Sequence, residues 1–379
     1  MNQTENSTAP LDEGELIGDE DIEELNEVTK TGVIGGYVII LLFSFVGNSI
    51  IIHLVRTRAN IRMNPFNWLL FNTALADLLD VITASTFSVP SVLCGDCWLS
   101  GIAGTIFCKV IPFFLVVSIC VSIWTLTVIA ADRYLAIVCI RRRPLSSKSV
   151  VCSIIALWLL AGLMFSGELY KFTVDEEDGE VALCYPDWNH ESEEISAIFN
   201  QAEMIVKVVV TYAVPLVIMT VLYSLISYFL WKQKPPGAVN QEAYLKQMRK
   251  RRAVIKMLIT AVAVFALCWL PVHVSHIMSE FYVDAYFTIP STLRLLFFWL
   301  AHANAAIHPW LFIAFSENLS GEAKAIFHNI RKRSPFKHPK LSTSSQPSLF
   351  TNVELAGSRE IAQSRSSVNV STLSFDTKF

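Results

Sequence analysis

Long apolar runs separated by short polar connections organise this chain. Seven stretches, approximately 33–56, 66–91, 105–139, 149–170, 197–231, 251–281 and 289–315, are each about long enough to cross a bilayer core, for which roughly 20 apolar residues suffice. The fourth is the least regular, and the third, fifth and sixth are long enough to project beyond the lipid. The pattern predicts an all-α membrane protein, a seven-helix bundle over 33–315. From Ser316 to Ile330 the residues Leu319, Ala323, Phe327 and Ile330 form one stripe, with Glu317, Lys324 and Arg331 elsewhere. This predicts a short amphipathic helix over 316–330 on the membrane surface. The Ser/Thr-rich tail 331–379 carries few large apolar residues and is expected to be disordered. Internal repeats and Gly-rich phosphate loops are absent from the sequence.

Composition agrees with a membrane chain. The sequence is 53% hydrophobic and 17% charged, against about a quarter charged in soluble domains. The net charge of −3 hides an asymmetry. Nine acids between Asp12 and Glu27 face only Lys30, and ten acids in 168–194 face only Lys171. Arg and Lys collect instead in 56–62, 141–148, 232–256 and 324–340. Alternate connections are therefore basic, which places the acidic segment 1–32 outside and the C-terminus inside a plasma membrane. Residues 1–30 lack a basic start followed by an apolar core, so the first span is expected to direct its own insertion. Asn2-Gln3-Thr4 and Asn6-Ser7-Thr8 are glycosylation sequons on the outer side. The sequons at Asn318 and Asn369 fall inside and are discounted.

Cys108 heads the third span and Cys184 lies in the long acidic connection. Both face an oxidising compartment, where a bridge is expected. Cys94 and Cys97 also lie outside, and without a further His or Cys pair at ligand spacing they read as a second bridge rather than a metal site. Cys120, Cys139, Cys152 and Cys268 read as small apolar packing residues.

The spans carry a series of marks in order: Gly47-Asn48, Asn72-Thr73-Ala74-Leu75-Ala76-Asp77, Trp98, Cys108, Asp132-Arg133-Tyr134, Trp158, Pro215, Tyr223, and Phe265-Ala266-Leu267-Cys268-Trp269-Leu270-Pro271. Over roughly 33–330 the chain resembles the rhodopsin-like (class A) G-protein-coupled receptors. The resemblance implies a switch made of Asp132, Arg133, Tyr134, Tyr223, Pro271 and Pro309. Pro215, Pro271 and Pro309 each remove a helix hydrogen bond and are expected to kink their spans. Trp269, one turn from Pro271, is expected to fill the floor of an outer cavity. In the family the position of Asp77, with partners matching Asn48, Ser122 and Asn304, binds a sodium ion. A protonated, hydrogen-bonded Asp77 that joins helices is the alternative.

The sequence also departs from the family. Where the family reads Asn-Pro-x-x-Tyr, this chain has His308-Pro309-Trp310-Leu311-Phe312. His308 beside Asp77 is expected to replace sodium partly or wholly. Phe312 lacks the phenol that in the family bridges to the tyrosine matching Tyr223. Arg251 stands where several relatives carry an acid, so Asp132 remains the resting partner of Arg133. Ile140 stands where many members have proline in the second inner loop.

Single positions exclude two ligand classes. Amine receptors carry an aspartate where this chain has Leu115, and opsins carry the retinal lysine where it has His302. The family's cavity maps onto Phe87, Leu115, Val116, Ile119, Lys207 and Trp269. His273, His276, Arg294, Phe298 and His302 complete it. Lys207 is costly within a span without an anionic partner, for which Glu203 and a ligand carboxylate are the candidates. Acidic outer loops steer a cationic ligand inward, so a basic or amidated neuropeptide is expected. The Cys-Trp-Leu-Pro-x-His series looks most like receptors of the galanin, somatostatin or allatostatin type.

The implied mechanism is a population shift in which peptide near Trp269 favours an outward swing of the sixth span. Arg133 then meets a heterotrimeric G protein. Arg141–Arg143 and Lys246–Lys256 flank that partner or hold membrane lipids. Phosphorylation at Ser342–Ser345 and Ser364–Ser374 is expected to recruit arrestin. No cofactor beyond the sodium ion and no nucleic-acid partner is expected. An enzyme is disfavoured because no nucleophile–base set lies inside the spans, and a transporter because inverted repeats are not visible. A constitutively active or decoy receptor stays open because of Phe312 and Arg251.

Overall fold

The computed structural model describes residues 27–94, 97–139, 145–176, 182–188, 192–233 and 241–333. The sequons at Asn2 and Asn6, most of the acidic N-terminal run and the Ser/Thr-rich tail lie outside them. Seven helical segments are long and apolar enough to cross a membrane. They are α1 (Glu27–Thr57), α3 (Pro65–Cys94), α4 (Gly101–Ile137), α5 (Ser147–Met164), the α7–α8 unit (Glu193–Val208 and Val214–Lys232), α9 (Gln241–Phe281) and α11 (Ser291–Phe315). Short helices α2 (Ala59–Arg62), α6 (Glu168–Lys171) and α10 (Val283–Phe287) fill connections, and α12 (Glu317–Arg333) follows α11. Of the expected α12 stripe, Leu319 and Ala323 are buried, Phe327 is exposed and the Ile330 side chain lies outside the described residues; the salt bridge Arg58–Glu322, 3.1 Å, ties α12 to the end of α1.

The fourth span is shorter than the apolar run suggested. It ends at Met164, capped at Phe165, and a turn through Gly167 leads into α6. Glu168 thus leaves the helix and turns back into the bundle, where it is buried. The acidic connection then forms a hairpin, β1 (Phe172–Asp175) antiparallel to β2 (Leu183–Pro186). Cys184 of β2 is bonded to Cys108 of α4, as expected. Cys97 is disulfide-bonded too, and its main chain bridges to Leu183; the side chain of Cys94 lies outside the described residues. Trp98 fixes this end, donating from Nε1 to the Gly104 carbonyl at 2.9 Å while its amide donates to Ala182 at 2.7 Å.

The sequence marks have local physical explanations. A Cβ at Gly47 would sit 2.7 Å from Pro309, so only glycine lets α1 approach α11 there. Asn72 receives the Trp158 indole at 2.9 Å and donates to Thr125 at 2.8 Å, joining α3, α4 and α5. Pro215 acts differently from a simple kink. It has no N–H for the preceding turn, and the chain widens into a π-helix over Val209–Ala213. The Val210 carbonyl accepts instead from Trp124 at 3.0 Å. Pro271 and Pro309 sit inside their helices as expected, and so do Pro90 and Pro112.

Candidate functional site

Two polar systems occupy the bundle between the hairpin end and the Asp132-Arg133-Tyr134 end. The one nearer the hairpin contains four charges. Lys207 Nζ lies 2.5 Å from both Glu168 and Glu203, and Lys171 lies 2.8 Å from Glu203. Glu203 is one turn from Lys207, as the sequence suggested; Glu168 is the partner that sequence reading missed. Its position became visible only once the fourth span was seen to end early. Burial pushes the Glu168 carboxyl up to about 7, Lys207 pulls it back, and Glu203 adds to the rise. Two cations meet two acids, so each lysine has an acidic partner within the protein.

Below it lies an aromatic floor. Trp269 stacks on His273 with ring centroids 5.6 Å apart and meets His302 edge-on at 5.8 Å. His273 also faces Tyr212 at 4.8 Å, and His276 faces Phe298 at 5.0 Å. Both ring nitrogens of His273 are buried without a hydrogen-bond partner. Arg294 sits over the Tyr286 ring at 4.6 Å and donates to the Tyr286 carbonyl. Not every expected lining residue joins this group. Phe87 packs on Trp98 and Phe172 beside the disulfide. Val116 packs with the cluster around Val117 and Phe165, and Leu115 is half-buried on α4.

Deeper still, α3 and α11 are joined by two Asp–His hydrogen bonds. Asp77 meets His308 Nδ1 at 3.1 Å and accepts from Ser122 at 2.6 Å. Asp80, one turn on, meets His302 Nδ1 at 3.0 Å. Sequence reading singled out Asp77 and missed Asp80, although a second acid three residues along the same span was a readable signal. Asn48 does not join Asp77: it donates to Ser44 and to the Ala305 carbonyl. The cavity bounded by Asp77, Asp80, Ile119, Asn304 and His308 measures about 10 Å³, barely the room of one water. Both Asp77 oxygens are already engaged. That space does not hold a hydrated sodium ion.

At the other end Arg133 pairs with Asp132, its Nε donating at 3.0 Å. Asp132 also accepts the Leu145 amide at 2.8 Å. The guanidinium lies 4.4 Å over the Phe66 ring, a contact that sequence reading missed. Arg251 makes no ion pair among the described residues. Tyr223 is buried on α8, and Phe312 is buried against the His308 ring at 5.9 Å. Tyr134 packs against the main core.

Seven spans, an α4–hairpin disulfide and an Asp-Arg-Tyr motif at the opposite helix end define a signalling receptor rather than an enzyme. The description "7 transmembrane receptor (rhodopsin family)" matches residues 47–312, and the chain belongs to this family. The human substance-K receptor is 28% identical over 325 residues, covering 86% of this chain and 79% of that receptor. The tachykinin-like peptides receptor 99D of Drosophila melanogaster is 29% identical over 305 residues, covering 77% and 56%. The QRFP-like peptide receptor of Branchiostoma floridae is 31% identical over 267 residues, covering 68% and 67%. The chain is thus a class A receptor related to peptide receptors.

Proposed function

We propose that this receptor binds a basic or amidated neuropeptide at its hairpin end, with the N-terminus outside the plasma membrane, and activates heterotrimeric G proteins inside. The observation that carries this reading is the paired cluster. Lys171 and Lys207 are paired with Glu203 and Glu168, so the protein supplies acidic partners for both cations. The surplus acids of 168–194 are then left to attract a cation. The names of the similar receptors support a peptide. Peptide over Trp269, His273 and His302 favours movement of α9 about Pro271, freeing Arg133 for the G protein. His308 serves as the partner of Asp77 in place of sodium. Phosphorylation of the tail recruits arrestin.

The Cys268-Trp269-Leu270-Pro271-Val272-His273 series supports a narrower second reading, a receptor of galanin, somatostatin or allatostatin type, beside the tachykinin likeness. A peptide panel with free-acid and amidated, basic and acidic members, read by G-protein dissociation, tests both readings. Response to acidic peptides alone would overturn the charge argument.

A further inference from the structure

The Trp269 indole is 7% exposed, and its Nε1 has no hydrogen-bond partner. Its orientation is therefore set by the rings around it: Phe265 at 6.2 Å, His273 at 5.6 Å and His302 at 5.8 Å. Phe265 and His273 are on α9 itself and travel with Trp269. His273 has no hydrogen bond to any neighbour. His302 is different, because it lies on α11 and its ring is fixed by a hydrogen bond to Asp80 on α3. An imidazole held at Nδ1 cannot spin about its ring bond, so its edge stays presented to the indole. Asp77 cannot do this work, since its oxygens are taken by His308 and Ser122.

We propose that Asp80 is a positioning residue for signalling. By fixing His302 it pins Trp269, and so anchors the cavity floor of α9 to α3 in the resting receptor. The pair is a brace: Asp80 holds the His302 ring, and His302 meets the indole. The inference rests on the G-protein coupling of the family and not on the identity of the ligand.

The test uses the full-length receptor in nanodiscs without ligand. Basal nucleotide exchange is measured on purified heterotrimers of the stimulatory, inhibitory and phospholipase-activating classes, per mole of folded receptor. Asp80→Leu and His302→Leu are each expected to raise basal exchange about fivefold or more, the lower end of ordinary coupling between sites. The double variant should rise no further than either single one, because the two side chains act as one unit. In a Trp269→Ala background, Asp80→Leu should have no further effect. An unchanged or lower basal rate in Asp80→Leu, multiplying effects in the double variant, or an effect that persists without Trp269 would each overturn the proposal. If Asp80→Leu fails to fold, Asp80→Asn serves. It keeps a hydrogen-bond acceptor, so its rise should be smaller, and exchange at the wild-type rate would again count against the idea.

Discussion

The seam between α3 and α11 and the seam between α8 and α9 are built on different principles. The first is bonded: two buried Asp–His hydrogen bonds cross it, and α11 is held further by Asn48 and by the close approach of Gly47 to Pro309. The second is mostly packed. Just before α8, Tyr212 of the π turn donates to the Ala266 carbonyl of α9 at 2.9 Å. Toward the inner end the helices part around a cleft of about 400 Å³ lined by Thr220, Tyr223, Ser224 and Ala263. Packed surfaces slide at small cost, whereas a bonded surface must first leave buried polar groups unpaired. The difference agrees with the proposed movement of α9 about Pro271, with α3 and α11 as the bonded side of the bundle.

The largest effect should come from breaking the bonded side. His308→Ala leaves one Asp77 oxygen buried without its ring partner and is expected to cost about 1–3 kcal/mol, seen as a lower melting temperature of purified receptor. An unchanged melting temperature would mean that the seam is not held by this bond. A smaller effect is expected where the moving unit is pinned at the hairpin end. Burial pushes the Glu168 carboxyl up from its ordinary value of 4.5 to about 7 in the fold. A raised carboxyl binds its proton in the folded state first, so its stabilising share is full below pH 4.5 and is lost as pH rises through 7. Glu168→Gln should flatten the fall in melting temperature between those limits; parallel curves for the two proteins would refute it.

Smaller again, Tyr212→Phe removes the hydrogen bond across the packed seam. It should cost about 0.5–1.5 kcal/mol, a smaller fall in melting temperature than His308→Ala gives, and raise basal exchange. The smallest effect is expected at Phe66. Phe66→Leu keeps an apolar side chain but removes the ring under Arg133, a contact worth about 0.5–1 kcal/mol. Basal exchange should rise about two- to fivefold on that scale, while Phe66→Tyr stays at the wild-type rate. Equal rates in the Leu and Tyr variants would show that packing, not the cation–ring contact, restrains Arg133.

Much of the frame was legible in the sequence because its signals are local. The seven spans follow from runs of apolar residues, and Asp77, His308 and the Cys108–Cys184 bridge stand out by residue type. What escaped depended on where a helix ends or which neighbour a side chain meets. Glu168 looked like the tail of a span, and only the turn at Gly167 brings it to Lys207. The aromatic restraint on Arg133 comes from Phe66, an unremarkable residue near the start of α3. Of the sodium ligand set implied by resemblance, Ser122 meets Asp77 and Asn304 lines the same cavity, whereas Asn48 donates to Ser44 and to the Ala305 carbonyl of α11.

The π-helical turn over Val209–Ala213 has a consequence for the angular phase of the fifth span. A π turn holds one residue more than an α turn. Each residue advances a helix by about 100°, so this single extra residue sets which way everything after Pro215 faces. Tyr223 and Ile226 point into the core only because of it. A one-residue deletion in the π turn would leave the apolar length of the span nearly intact while swinging those side chains toward lipid. A change of residue count within the π turn is therefore expected to disturb the fifth span more than a substitution on its outer face.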